Sequence, residues 1–169
     1  MKKFLLLIFI QLIQKYFCTN DDYKRVCIYP NWSILRPIKI AKLYPEQVDV
    51  SICTHLHYAY ANINVKTLEL MPSLKQDILN GTHGMPLYDR IMKLRKSNPK
   101  IKILISVGGF FAKSTSFNQV IFNEAKRKKF IQNVLLFLKK YHFDGLDIHW
   151  TYPDSETKTR FTVLLQVLI

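Results

Sequence analysis

The ten residues Asp144-Gly-Leu-Asp-Ile-His-Trp-Thr-Tyr-Pro153 decide how this chain is read. A strand sends successive side chains to opposite faces. Leu146, Ile148 and Trp150 therefore point one way, and Asp147, His149 and Thr151 point the other. Three polar groups on one face and three large apolar groups on the other do not suit an ordinary buried parallel strand. They suit a strand whose inner face lines a site and whose outer face packs under helices, Trp150 included.

Outward from that strand, apolar runs alternate with amphipathic stretches. Arg25 to Tyr29 reads as a first strand, and Ser51 to Ala61 contains a second. Ile101 to Val107 is a third, closed by Gly108-Gly109, and Phe143 to Trp150 is the fourth. Helical spacing appears in Leu87 to Lys96, through Leu87, Ile91, Leu94 and Arg95. It is stronger in Ala125 to Tyr141, with Phe130, Val134, Phe137 and Leu138 on one face. A further helix begins at Glu156 and runs to Ile169. Asn98-Pro99 ends the earlier helix before the third strand. Strand-then-helix repetition predicts an α/β fold, a parallel sheet with right-handed crossovers. Taken alone, the pattern also fits a flavodoxin-like open sheet.

The motif at 144–153 resembles that of glycosyl hydrolase family 18, the chitinases and chitinase-like lectins. Their strand reads Asp-Gly-x-Asp-x-Asp-x-Glu, followed by Tyr-Pro. Asp144, Gly145, Asp147, Tyr152 and Pro153 match it. His149 stands where the family has its third Asp, and Thr151 where it has the Glu proton donor. Val26-Cys-Ile-Tyr-Pro-Asn-Trp32 looks like the family's first strand and Cys53-Thr-His-Leu-His-Tyr-Ala-Tyr60 like its second. Ser106-Val-Gly-Gly-Phe110 looks like its Ser-x-Gly-Gly motif. The resemblance runs in the family's order and implies a (β/α)₈ barrel. A barrel of that kind typically takes about 250 residues, whereas four of eight strands are recognisable here. Residues 21–169 are therefore expected to be the N-terminal part of such a domain, about four βα units. A half barrel of this kind leaves two sheet edges unpaired and an apolar layer uncovered.

The resemblance also implies a chemistry, and two positions deny it. In the family the sugar's own acetamide oxygen attacks the anomeric carbon while the Glu protonates the leaving oxygen, a departure from the two-carboxylate scheme. The third Asp orients the acetamide and tunes the Glu. A Thr151 hydroxyl does not give up a proton near neutral pH. His149 could donate one, but it lies two residues back on the strand, roughly 6–7 Å from the donor position. The expectation is a degenerate catalytic motif, Asp144, Asp147, His149 and Thr151, with no intact acid. In this reading His149 and Thr151 form a hydrogen-bonded pair, and Asp147 accepts a bond from His149.

Sugar binding can outlive catalysis, because pyranose faces stack on aromatic rings. The strand ends offer Tyr29, Trp32, Tyr60, Phe110, Trp150 and Tyr152. Any one aromatic is more often core than ligand, and the motif match lifts Tyr60, Phe110 and Tyr152 above that rule. With Gly109 and Asp147 they form the expected substrate-binding set. Phe110 stands where chitinases carry a stacking Trp, and Ile28 replaces a family Tyr at the same mouth. The expected partner is chitin or an N-acetylglucosamine oligosaccharide. A working chitinase and a non-binding remnant are the rival readings. His55, His57, Asp147 and His149 could converge, but no recognised metal spacing appears, and neither a metal nor a cofactor is expected.

The 169 residues suffice for one domain with a sizeable core. Lys2 and Lys3 before the apolar run Phe4 to Ile13 read as a secretory signal over residues 1–20, because about ten apolar residues are too few to span a bilayer. A secreted, extracellular location follows, with no membrane attachment once the signal is cut. Secretion leaves Cys27 and Cys53 in an oxidising compartment, which favours a disulfide over two buried free thiols; each lies within a predicted strand, and the family bridges its first two strands at these positions. Asn31-Trp-Ser and Asn80-Gly-Thr are glycosylation acceptors in pattern, Asn80 the better placed in its polar loop.

The formal net charge is +13. Without Lys2, Lys3 and Lys15 there remain 22 basic against 12 acidic residues. The densest cluster, Lys126 to Lys129 with Lys139 and Lys140, falls on a predicted helix. A solvated face is its ordinary reading, and an anionic glycan partner the sharper one. Nothing resembles a nucleic-acid module.

Overall fold

In the computed structural model, residues 23–79, 84–110, 112 and 114–168 are described. The expected signal and Asn80 lie outside them. Five strands form one sheet: β1 (Val26–Pro30), β2 (His55–Ile63), β3 (Leu70–Pro72), β4 (Lys102–Gly108) and β5 (Gly145–His149). The order is β1-β2-β4-β5, all parallel, and β3 pairs antiparallel with β2 outside that path. The parallel sheet agrees with the α/β expectation. Sequence periodicity did not reveal β3, whose three residues are too few to show alternation.

The helices are α1 (Leu87–Met92), α2 (Ser114–Ile121), α3 (Glu124–Tyr141) and α4 (Ser155–Leu168). The predicted helix 87–96 holds its α form only to Met92 and tightens into a 3₁₀ turn over Lys93–Lys96. α3 is bounded by its own residues. The Asn123 side chain accepts from Lys126 N–H at 2.9 Å, an N-cap. His142 at φ 62° turns the chain out of the helix, with Phe143 N–H donating to the Leu138 carbonyl. Asp154 caps α4 by accepting from Thr157 N–H at 2.8 Å. α2 has no sequence counterpart above: its Ser, Thr and Asn content hides the buried stripe Phe117, Val120 and Ile121.

The core lies between the outer face of the sheet and these helices. Tyr29, Leu56, Tyr58, Ile103, Ile105 and Val107 are buried on that face. Tyr58 packs on Tyr29 and Tyr88, and Tyr88 on Phe143, at centroid distances of 5.5, 5.1 and 5.2 Å. Burying such rings contributes about 1.5–3 kcal/mol each. Trp150 sits with this layer as expected. It stacks on Phe117 at 5.0 Å and donates to Ser114 Oγ at 3.0 Å.

The inner face is more open. Val26 and Ile28 of β1 are 50% and 60% exposed, and every residue of β5 is half-buried. Cys27 and Cys53 are disulfide-bonded, with Cα atoms 5.9 Å apart. Cys53 lies two residues before β2, so the bridge ties β1 to the approach of the next strand.

Candidate functional site

Strand register places the inner-face residues. In parallel pairs, facing residues project to the same side, so Ala59, Ser106 and Asp147 form one row and Gly108 faces His149. Simple alternation from His57 and Ala59 would send Tyr60 to the outer face with Tyr58. The β2–β4 register shifts between Ala59 and Ala61, and a bulge of this kind re-aims a side chain. Tyr60 consequently turns inward, and its hydroxyl lies 3.1 Å from His149 Nδ1. The two rings meet edge to face at 5.6 Å.

Asp147 is paired with His57, Nδ1 to Oδ2 3.3 Å. This corrects the expected internal pairing: His149 bonds Tyr60 rather than Asp147 or Thr151, and Asp147 takes its partner from β2. The reason is geometric. Residues 147, 149 and 151 share a face but lie along one strand, roughly 6–7 Å apart in steps of two, whereas β4, the strand between β5 and β2, presents only Ser106 and Gly108 beside Asp147 and His149, and the longer side chains meet across it. Burial and the Asp147 charge both hold the Tyr60 phenol above its usual pKa. Thr151 lies just past the end of β5 and is half-buried.

The two glycines after β4 make this packing possible. A Cβ on Gly108 would stand 2.2 Å from the His149 carbonyl oxygen, and one on Gly109 2.7 Å from the Tyr60 ring. Both have positive φ, 112° and 86°, which favours glycine. Gly109 N–H donates to His149 O at 2.8 Å.

Asp144 belongs to the other end of the strand. Its Oδ2 accepts from Ile103 N–H at 2.7 Å and from Arg95 at 2.8 Å. Burial pushes its carboxyl up, but these two bonds and the Arg95 and Lys102 charges outweigh it, and the pKa falls below the usual value. Asp144 stitches β4 to β5 away from the mouth.

The aromatics divide into two groups. Tyr29 is fully buried and donates to the Leu43 carbonyl at 3.2 Å, so it belongs with Trp150 in the core. Trp32, Phe110 and Tyr152 are 48%, 77% and 79% exposed, and Arg36 covers one face of Trp32 at 5.0 Å. His55 is set apart from the other histidines: its Nδ1 lies 2.9 Å from Thr54 Oγ1. Among the described residues no group of three His, Cys, Asp or Glu is placed to hold a metal ion.

Asn31 is buried, and its Nδ2 donates to Ser73 Oγ at 2.7 Å and to Asp77 at 3.2 Å. A glycan on Nδ2 would require that network to open, so the folded chain does not present Asn31 as an acceptor. Asp77 is a buried carboxylate that sequence reasoning missed. It also accepts from Tyr58 and from Leu74 N–H. Burial pushes its pKa up against those bonds. It lies with the tyrosine core, so its role is structural.

Residues 24–168 match the family model described as Glycosyl hydrolases family 18. Chitinase-3-like protein 2 of Homo sapiens is 38% identical over 149 residues, covering 88% of this chain and 36% of that protein. An immunomodulatory active chitinase from Trichuris suis superposes with TM-score 0.78 at 32% identity, over 86% of this chain and 38% of the other. Human YKL-39, described as a pseudo-chitinase with retained chitooligosaccharide binding, superposes with TM-score 0.75 at 38% identity, over 86% of this chain and 37% of the other. The chain thus spans little more than a third of the length of these relatives.

Proposed function

The chain belongs to glycosyl hydrolase family 18, and on that footing we propose that it is a secreted, chitinase-like protein that binds chitin or related N-acetylglucosamine oligosaccharides without hydrolysing them. One observation carries this reading: the two positions that bear the family's chemistry hold His149 and Thr151, and the His149 ring is engaged by Tyr60. A positioned general acid commonly contributes about 10²–10⁴-fold, and a threonine hydroxyl cannot supply it. His149 stands two residues before the donor position on β5, and its ring meets Tyr60 of β2.

Binding draws on different groups. Phe110, Tyr152 and Trp32 present exposed rings, and Tyr60 lines the inner face. The retained oligosaccharide binding of the similar human pseudo-chitinase supports the same order of loss, chemistry first and binding second. Secretion is supported by the basic and apolar leader over residues 1–20 and by the Cys27–Cys53 bridge, which suits an oxidising compartment.

The test pairs a chitin-bead pull-down with turnover of a fluorogenic chitobioside. Retention without turnover is expected. Turnover that His149→Ala abolishes would overturn the non-hydrolytic reading. A folded sample that fails to bind would favour the non-binding remnant instead.

A further inference from the structure

We propose that the solvent face of α3 docks the protein on an anionic lipid surface, with lysines on the headgroups and two leucines in the acyl layer below them. Phe130, Val134 and Phe137 of α3 are buried in the core. The opposite side of the helix therefore points away from the core and from the inner-face mouth. At about 100° per residue, Lys128, Lys129, Leu135, Leu136, Lys139 and Lys140 fall within an arc of about 140°. All six are exposed. They form two rows along the helix: Lys128, Leu135 and Lys139 in one, Lys129, Leu136 and Lys140 in the other. Each row holds a leucine between two lysines about 16 Å apart along the axis.

The leucines separate this face from an ordinary solvated one. Single exposed apolar residues are normal on a surface, but Leu135 and Leu136 are adjacent and 60% and 67% exposed. At a lipid interface the leucines leave water while the lysine ammonium groups reach the headgroups at either end. The countercharge is slight. Glu124 borders the arc and pairs with Lys128 at 2.6 Å. Glu69, across a groove that Leu136 and Lys140 line, accepts from the Thr67 hydroxyl at 2.9 Å. Lys140 lies over the Tyr141 ring at 4.9 Å, while Lys129 and Lys139 have no partner among the described residues. A plane meets both rows at once, whereas a linear polyanion would follow one row and leave the leucines in water. No described helix is long and apolar enough to cross a membrane, and this docking needs none.

The experiment measures cosedimentation of the full chain with vesicles of equal parts phosphatidylcholine and phosphatidylserine, at physiological ionic strength. Vesicles of phosphatidylcholine alone are the neutral control. Binding to the anionic vesicles and not to the neutral ones is expected. Lys139→Gln with Lys140→Gln should weaken it about 25-fold, at about fivefold for each lysine. Leu135→Ser with Leu136→Ser should weaken it about tenfold with the charge unchanged. Circular dichroism checks that each variant is folded. Lys39→Gln with Lys158→Gln removes the same charge from exposed positions on other elements and should leave binding nearly unchanged. An equal loss in that control means that net charge alone drives the contact, and the inference fails. Binding left intact by either α3 variant, equal on neutral vesicles, or absent from the unaltered protein also overturns it. Retention on dextran sulfate without vesicle binding assigns the face to a linear polyanion and overturns the lipid partner. Chitin binding is assayed on beads without lipid, so its failure and the failure of this inference are distinguishable.

Discussion

At the start of β5, Asp144 spans the gap to β4 through Ile103 N–H and reaches Arg95. At the end of the same strand, His149 and Asp147 reach instead to β2, to Tyr60 and His57. The first end keeps the family's Asp144 and Gly145, whereas the second keeps Asp147 but carries His149 and Thr151 in place of the family's Asp and Glu. The retained Asp144 does work that any chain folding this way needs, because it satisfies a backbone donor between two strands. The substituted positions face an open mouth, where a change costs little folding energy. A motif that survives at one end and fails at the other therefore reports the fold and not the reaction.

The sharpest way to break this comparison is at the seam where the upper end of β5 meets β4. Gly108→Ala would set a Cβ against the His149 backbone carbonyl at 2.2 Å, in a residue at φ 112°. Neither the backbone nor the dihedral can give way cheaply. A loss of roughly 3–5 kcal/mol is expected from overpacking and backbone strain together, measured by urea denaturation. A loss under about 1 kcal/mol would show that the upper end of the strand is free to shift.

Asp144→Ala comes next. It removes a partly exposed carboxylate that holds one backbone and one guanidinium donor, and about 2 kcal/mol is expected. The pH dependence follows from the depressed pKa. The folded state binds the Asp144 proton less readily than the unfolded chain does. The carboxylate thus contributes stability above the unfolded value of about 4, and that contribution is lost as pH falls through the lower folded value. Asp144→Asn should flatten that acid limb. An unchanged limb would remove Asp144 from the structural end of the comparison.

The same division explains what could be read in advance. The parallel order was legible because each main strand carries its own apolar run, as in Ile103, Ile105 and Val107. The family was legible because Asp144, Gly145 and Tyr152-Pro153 sit in one short window. Side-chain partners were not. Alternation assigns faces within a strand but cannot reveal a bulge, so Tyr60 was recognised as a site aromatic without its inward turn or its contact with His149. The His57–Asp147 pair joins residues 90 positions apart, and spacing within either strand carries no trace of it. Asp77 looks like part of a solvated turn in Lys75-Gln-Asp-Ile; its burial comes from Asn31 and Tyr58, which only the fold brings near.

The smallest expected effect lies at the mouth itself, and it decides whether the end that faces the opening is weakly coupled to folding. Tyr60→Phe removes one hydroxyl and leaves the edge-to-face contact with His149, so the lost hydrogen bond should cost only about 0.5–1 kcal/mol. The half-buried setting keeps the figure low, since water can reach the freed Nδ1 of His149. Thermal unfolding beside Asp144→Ala gives the direct comparison, with the smaller shift expected for Tyr60→Phe. Were the order reversed, the Tyr60–His149 contact would be holding the sheet together. The histidine at 149 would then have to be explained by folding, and its place in the sugar-facing chemistry would lose its support.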